Sequence, residues 1–140
     1  MPDLKYIVPV NATPEKVYAA VATQAGMKSW WTADTHMEEK VGGKADFGFE
    51  NHQFVFHMTI EKLDPGRCVV MRCHGDQPEW DGTTLTWTIV PENGASVLRF
   101  NQRWKAQTDM VAMCNSTWGE LVHRLKDYVE GRNPGPHWTK

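Results

Sequence analysis

Three cysteines in 140 residues are too few and too scattered for a disulfide scaffold. Cys68 and Cys73 stand five apart in a strand-like run, so they should face opposite sides and are poorly placed to bridge. A reducing, cytoplasmic setting is the expectation. Neither sign of charge dominates: 15 basic and 17 acidic residues leave a formal net charge of -2. That balance supplies no field for gathering nucleic acid or an anionic membrane surface. No stretch approaches the ~20 apolar residues needed to span a bilayer, so membrane insertion is not expected. The opening MPDLKYIVPV lacks a basic leader, an apolar core and a small-residue cleavage site, so no secretion signal is expected. The histidines at 36, 52, 57, 74, 123 and 137 form no HExxH-like pair, and adjacent Cys73 and His74 should point to opposite faces. Val41-Gly42-Gly43-Lys44 is too short for a phosphate loop and lacks the following hydroxyl. Neither a metal nor an organic cofactor is expected.

What the chain does have is bulk: it is 41% hydrophobic and carries 7 Trp and 7 Met. A chain of this length folding as one domain, 1–140, buries roughly two thirds of its unfolded surface. Residues 4–10 have strand character, and Pro9 suits an edge. Thr13-Pro14-Glu15 then combines a hydroxyl cap, a first-turn proline and a first-turn acid, which predicts a helix with Val17, Tyr18 and Val21 inward. A second short helix should start at Thr23 and end near Trp30-Trp31, although Gly26 weakens it.

From Gly42-Gly43 onward the period is two. Ala45, Phe47 and Phe49 share a face, followed by Phe54, Phe56, Met58 and Ile60. Asp64-Pro65-Gly66 marks a turn into 67–74. Leu85, Trp87 and Ile89 alternate with threonines, and Pro91 to Gly94 marks a hairpin. Ser96, Leu98, Phe100, Gln102 and Trp104 complete an antiparallel meander with one covered face. The cover is a helix predicted over 107–130, about 35 Å long, with Met110, Cys114, Trp118, Leu121, Leu125 and Tyr128 recurring every three or four residues. Val111, Met113, Val122 and Val129 widen that stripe. Residues 133–140 should form a short extended tail. The expected class is α+β, with a curved sheet around the last helix and room for a cavity between them.

The segments VNATPEKVYAAV (10–21), SWWT (29–32), VGGKADFGF (41–49), EWDGTTLTW (79–87), VLRFNQRW (97–104) and CNSTWGELVHRLKDYVEGRNPGP (114–136) occur in this order. Together they resemble the Bet v 1-like, START-like superfamily, and within it the bacterial branch related to the C-terminal domain of the activator of the Hsp90 ATPase. The resemblance implies a helix-grip fold: a curved antiparallel sheet gripping a long C-terminal helix, with two short N-terminal helices and a pocket. It also implies a small lipophilic ligand or a partner protein, in a monomer or weak homodimer; some relatives catalyse cyclisation or dehydration. Members of the branch often carry a histidine where Gln102 stands, and an amide cannot shuttle protons near neutrality.

Candidate ligand contacts are Trp31, Phe56, Met58, Met71, Trp87, Phe100, Gln102, Trp104, Met110, Cys114 and Trp118. Apolar pockets with few polar groups are the common form of small-molecule site. The competing assignment for each is plain core. Trp80, in the polar QPEWDG run, either anchors a loop or covers a pocket mouth. Catalytic candidates are thin: Asp46, Glu50 and His57 are able to converge across neighbouring strands, on the side opposite Phe47 and Phe56. The function expected is binding of an apolar or amphipathic molecule. Its alternatives are a co-chaperone-like protein contact and a polyketide cyclase- or dehydratase-like enzyme.

Overall fold

The computed structural model describes residues 2–75 and 77–140. The elements run β1 (Asp3–Val10), α1 (Pro14–Ala22), α2 (Gln24–Trp30), β2 (Thr35–Met37), β3 (Lys44–Phe49), β4 (Phe54–Asp64), β5 (Cys68–His74), β6 (Thr84–Glu92), β7 (Ala95–Arg103) and α3 (Asp109–Val129). The strands form one antiparallel sheet in the order β1-β7-β6-β5-β4-β3-β2. It is a meander from β2 to β7 with β1 returned to the far edge, where Pro9 is tolerated. A register irregularity between Ile60 and Lys62 bends β4 and adds curvature. The β6–β7 hairpin turns through Asn93 and Gly94, both at positive φ, as a two-residue connection demands.

Side-chain parity behaves as the alternation predicts. Met58, Ile60, Val69, Met71, Leu85, Trp87, Leu98, Phe100 and Gln102 are buried on the concave face. The curved sheet wraps α3, which presents Val111, Trp118, Leu121, Val122 and Leu125 to it. The helix is 21 residues long, hence about 31 Å rather than 35 Å. Thr108 is already extended, so the expected start at 107 moves to Asp109.

Three further expectations change. Met113, at the outer flank of the α3 stripe, is 66% exposed, and Phe54, the first residue of β4, is 47% exposed. β2 has no counterpart in the sequence pattern; three residues are too few to show alternation. Gly26, expected only to weaken α2, is required by packing: a Cβ there would lie 2.3 Å from the Ala19 carbonyl oxygen of α1. The glycine lets the two short helices touch.

Candidate functional site

A cavity of about 190 Å³ opens between α3 and the concave sheet. One wall is the α3 face carrying Met110, Met113, Cys114, Thr117, Trp118 and Leu121, at the three- and four-residue spacings of one helix side. The opposite walls are Trp31, Phe49, Phe56, Trp80 and Trp138. The rings meet in a closed circuit. Centroids are 5.9 Å apart for Trp31–Phe49, 5.1 Å for Phe49–Phe56, 4.2 Å for Phe56–Trp80, 6.5 Å for Trp80–Trp118 and 5.2 Å for Trp118–Trp31. Such spacings favour both stacked and tilted contacts, and a flat guest would meet π faces on several sides.

Polar groups are few. Among the described residues that line the cavity, none carries a carboxylate, an ammonium or a guanidinium. The Thr117 hydroxyl donates to the Met113 carbonyl at 3.3 Å. Burial pushes the Cys114 thiol up; the Trp80 indole pulls it the other way and the Glu79 carboxylate adds to the rise. The thiol is therefore protonated at neutral pH and a poor nucleophile. The Trp80 indole N–H is buried with only the weakly accepting Cys114 sulfur beside it.

The structure brings Trp31, Phe56, Met110, Cys114 and Trp118 to this cavity. It places Met58, Met71, Trp87, Phe100, Gln102 and Trp104 elsewhere, all buried in the core. Gln102 is held between two protein partners: its amide oxygen accepts from the Trp118 indole at 2.7 Å, and its amide nitrogen donates to the Thr83 hydroxyl at 3.3 Å. The Thr83 hydroxyl in turn donates to the Trp80 carbonyl at 2.7 Å. This buried relay fastens α3 and the Trp80 loop to β7. Trp31 is a deep wall of the cavity, stacked on Phe47 at 4.4 Å. Trp80 both anchors its loop and walls the cavity, and is 4% exposed.

Phe49, Met113, Thr117, Leu121 and Trp138 line the cavity without having been singled out for it. Phe49 shares the inner parity of Phe47, and Thr117 lies three residues from Cys114 on the helix, so both were within reach of periodicity. Trp138 was not: it belongs to an aperiodic tail that folds back onto Trp31 and Phe49.

Asp46 and His57 do meet, Asp46 Oδ1 to His57 Nδ1 at 2.7 Å, on the convex side of the sheet and away from the cavity. Glu50 stands in the β3–β4 turn at positive φ, exposed and outside that pair. Among the described residues no group of three or more His, Cys, Asp or Glu is arranged to hold a metal ion, and no helix is long and apolar enough to cross a membrane.

Comparison with known proteins gives the family and the fold. The family described as Activator of Hsp90 ATPase homolog 1-like protein matches residues 11–130. The solution structure of the Aha1 dimer from Colwellia psychrerythraea is 29% identical, with a TM-score of 0.84 over 94% of this chain and 98% of that one. A protein from Mesorhizobium loti, 16% identical, superposes with a TM-score of 0.80 over 94% and 98% of the two chains. One from Bacillus halodurans, 21% identical, reaches 0.76 over 93% and 98%. At those lower identities the likeness is one of fold. No curated protein matches the sequence.

Proposed function

The chain belongs to the Activator of Hsp90 ATPase homolog 1-like protein family, and from that premise and the cavity we propose that it binds a small, uncharged, mainly aromatic molecule between α3 and the sheet. The observation that carries this reading is the closed circuit Trp31–Phe49–Phe56–Trp80–Trp118 around open space. Five large rings that only needed burial would interdigitate and leave no void. The Trp80 indole N–H, set beside the weakly accepting Cys114 sulfur, is available to a guest carrying one stronger hydrogen-bond acceptor. Lack of any charged lining group argues against an ionic guest, which would lose its hydration without compensation. The same lack leaves no acid–base pair at the cavity, so no reaction is proposed there.

Apolar burial contributes about 25 cal/mol per Å² before association costs, which sets micromolar as the expected affinity scale for a two- or three-ring guest. The test compares 2-naphthol with naphthalene-2-sulfonate by calorimetry and by chemical-shift mapping. Naphthol should bind and perturb Phe56, Cys114 and Trp118, with the sulfonate at least about tenfold weaker. Equal binding of both, or shifts confined to the convex face, would defeat the proposal.

A second reading, self-association, is favoured by one surface. Pro9, Val97 and Val90 form a cross-strand row on the outer side of β1, β7 and β6, beside exposed Ile7. The Colwellia psychrerythraea relative is itself a dimer. Sedimentation velocity of wild type and Ile7→Lys, across a concentration series, tests it: a single concentration-independent monomer in both rejects the idea.

A further inference from the structure

We propose that the C-terminal strap, residues 132–140, is a movable wall of the cavity, and that its Trp138 sets the largest ring system the cavity admits. The size claim rests on the binding role proposed above; the mobility claim does not.

The strap leaves α3 through Gly131 at φ +92° and bends again at Asn133 and Gly135, both at positive φ. It then runs back along the helix. Arg124 clamps it through three successive carbonyls: its Nε donates to Gly135 at 2.9 Å and its Nη2 to Pro134 and Pro136 at 3.4 Å. Beyond the clamp, the Trp138 amide donates to the Trp31 carbonyl at 3.0 Å, and the Ala33 amide donates to the Trp138 carbonyl at 2.9 Å. His137 Nδ1 lies 3.3 Å from Glu120 Oε1. Through this docking the Trp138 ring stands edge-on to Phe49 at 4.7 Å and becomes part of the cavity wall.

Two features make this wall different from the others. The remaining walls belong to α3, strands, the C-terminal end of α2, or a loop tied by the buried Gln102–Thr83 relay. The strap has no strand ladder, only the single bridge Thr32–Trp138, and none of residues 131–140 is fully buried. Segments held by a few half-exposed hydrogen bonds open at far lower free energy than a packed core. In addition, the strap begins where α3 ends, so the chain joins it to the rest of the cavity wall through Gly131 alone. Swinging out the strap breaks its backbone bonds to Trp30, Trp31 and Ala33 but leaves the Trp31 ring packed on Trp30, Phe47 and Trp118.

Arg124→Gln and Trp138→Ala separate clamp from wall, since Arg124 does not line the cavity. Both are measured against wild type for binding of 2-naphthol and of 1-hydroxypyrene, guests of two and four fused rings with the same single hydroxyl. Trp138→Ala should raise the pyrene-to-naphthol affinity ratio by about tenfold or more, as removal of a size-limiting wall does. Arg124→Gln should raise the same ratio less and speed release of both guests. An unchanged ratio in both variants overturns the size claim. Hydrogen exchange at the Ala33 and Trp138 amides decides mobility without any guest. These amides should exchange well short of global unfolding, and Arg124→Gln should accelerate them about tenfold while leaving Leu98 and Phe100 unaltered. Exchange of the Ala33 and Trp138 amides only with global unfolding overturns the movable wall. If 2-naphthol fails to bind wild type at all, the cavity proposal and the size claim fall together, and mobility is still decided by exchange.

Discussion

Trp118 and Gln102 form the pair on which the interior most depends. The Trp118 ring touches Phe100 at a 4.3 Å centroid distance and Trp31 at 5.2 Å, while its N–H is taken by Gln102. Trp118→Ala should cost about 3–5 kcal/mol. Gln102→Leu keeps the volume but strands the indole N–H, costing about 1–3 kcal/mol. In urea melts the two losses should not add in the double variant, because one hydrogen bond is counted in both. Full additivity would mean the bond contributes nothing. Cys73 gives a residue-scale pH signature. Burial, with the Asp81 carboxylate adding to it, pushes its thiol from 9.0 up to about 12. The folded form then keeps a proton that the unfolded chain loses, so this stability is fully present below pH 9 and falls as pH rises toward 12. Melts at pH 8 and pH 10.5 should show a smaller alkaline loss in Cys73→Val than in wild type; equal losses would exonerate the thiol. Inward parity of such residues was legible in the sequence, because alternation assigns Met58, Trp87, Phe100 and Gln102 to one face. Which of them border open space was not. That depends on where α3 crosses the sheet, and two-residue periodicity carries no information about it.

Among the elements, α1 and α2 show how a local rule and a packing rule conflict. Helix propensity alone favours alanine over glycine at position 26 by about 1 kcal/mol. In the fold, a Cβ there would sit 2.3 Å from the Ala19 carbonyl oxygen and 2.7 Å from the Ala20 Cα. Backbone cannot give way as a flexible side chain would. Gly26→Ala should therefore destabilise by about 1–3 kcal/mol through separation of the two helices. A stabilised variant in thermal melts would show that α2 is free to shift. The long elements were legible because each supplies many residues to its period: β6, β7 and α3 emerge within about two residues of the expected bounds, while β4 continues past Ile60 to Asp64. β2 and the strap were not. Their conformation is imposed by partners distant in sequence, Thr35–Met37 by β3 and Trp138 by residues 31–33.

At the scale of the whole molecule, core and cavity are built from the same aromatic sheet of contacts, with Trp118 belonging to both. A collapsed core and a binding site therefore differ only in whether the space beside α3 is already used. Filling that space distinguishes them. Cys114 lines the cavity from the middle of the α3 wall and is only half-buried, so a phenylalanine there projects into open volume if the volume exists. Cys114→Phe should leave stability within about 1 kcal/mol of wild type, since cavity filling is among the changes proteins tolerate or gain from. It should also abolish 2-naphthol binding. Wild type held at a hundred times its dissociation constant should gain about 2.7 kcal/mol from linkage, and the variant should gain nothing. Thermal melts with and without the guest read both quantities in one experiment. If the side chains interlock instead, overpacking costs the variant about 1–3 kcal/mol, and the guest stabilises neither protein. That pair of results would return Trp31, Phe56, Met110, Cys114 and Trp118 to the core and remove the binding site altogether.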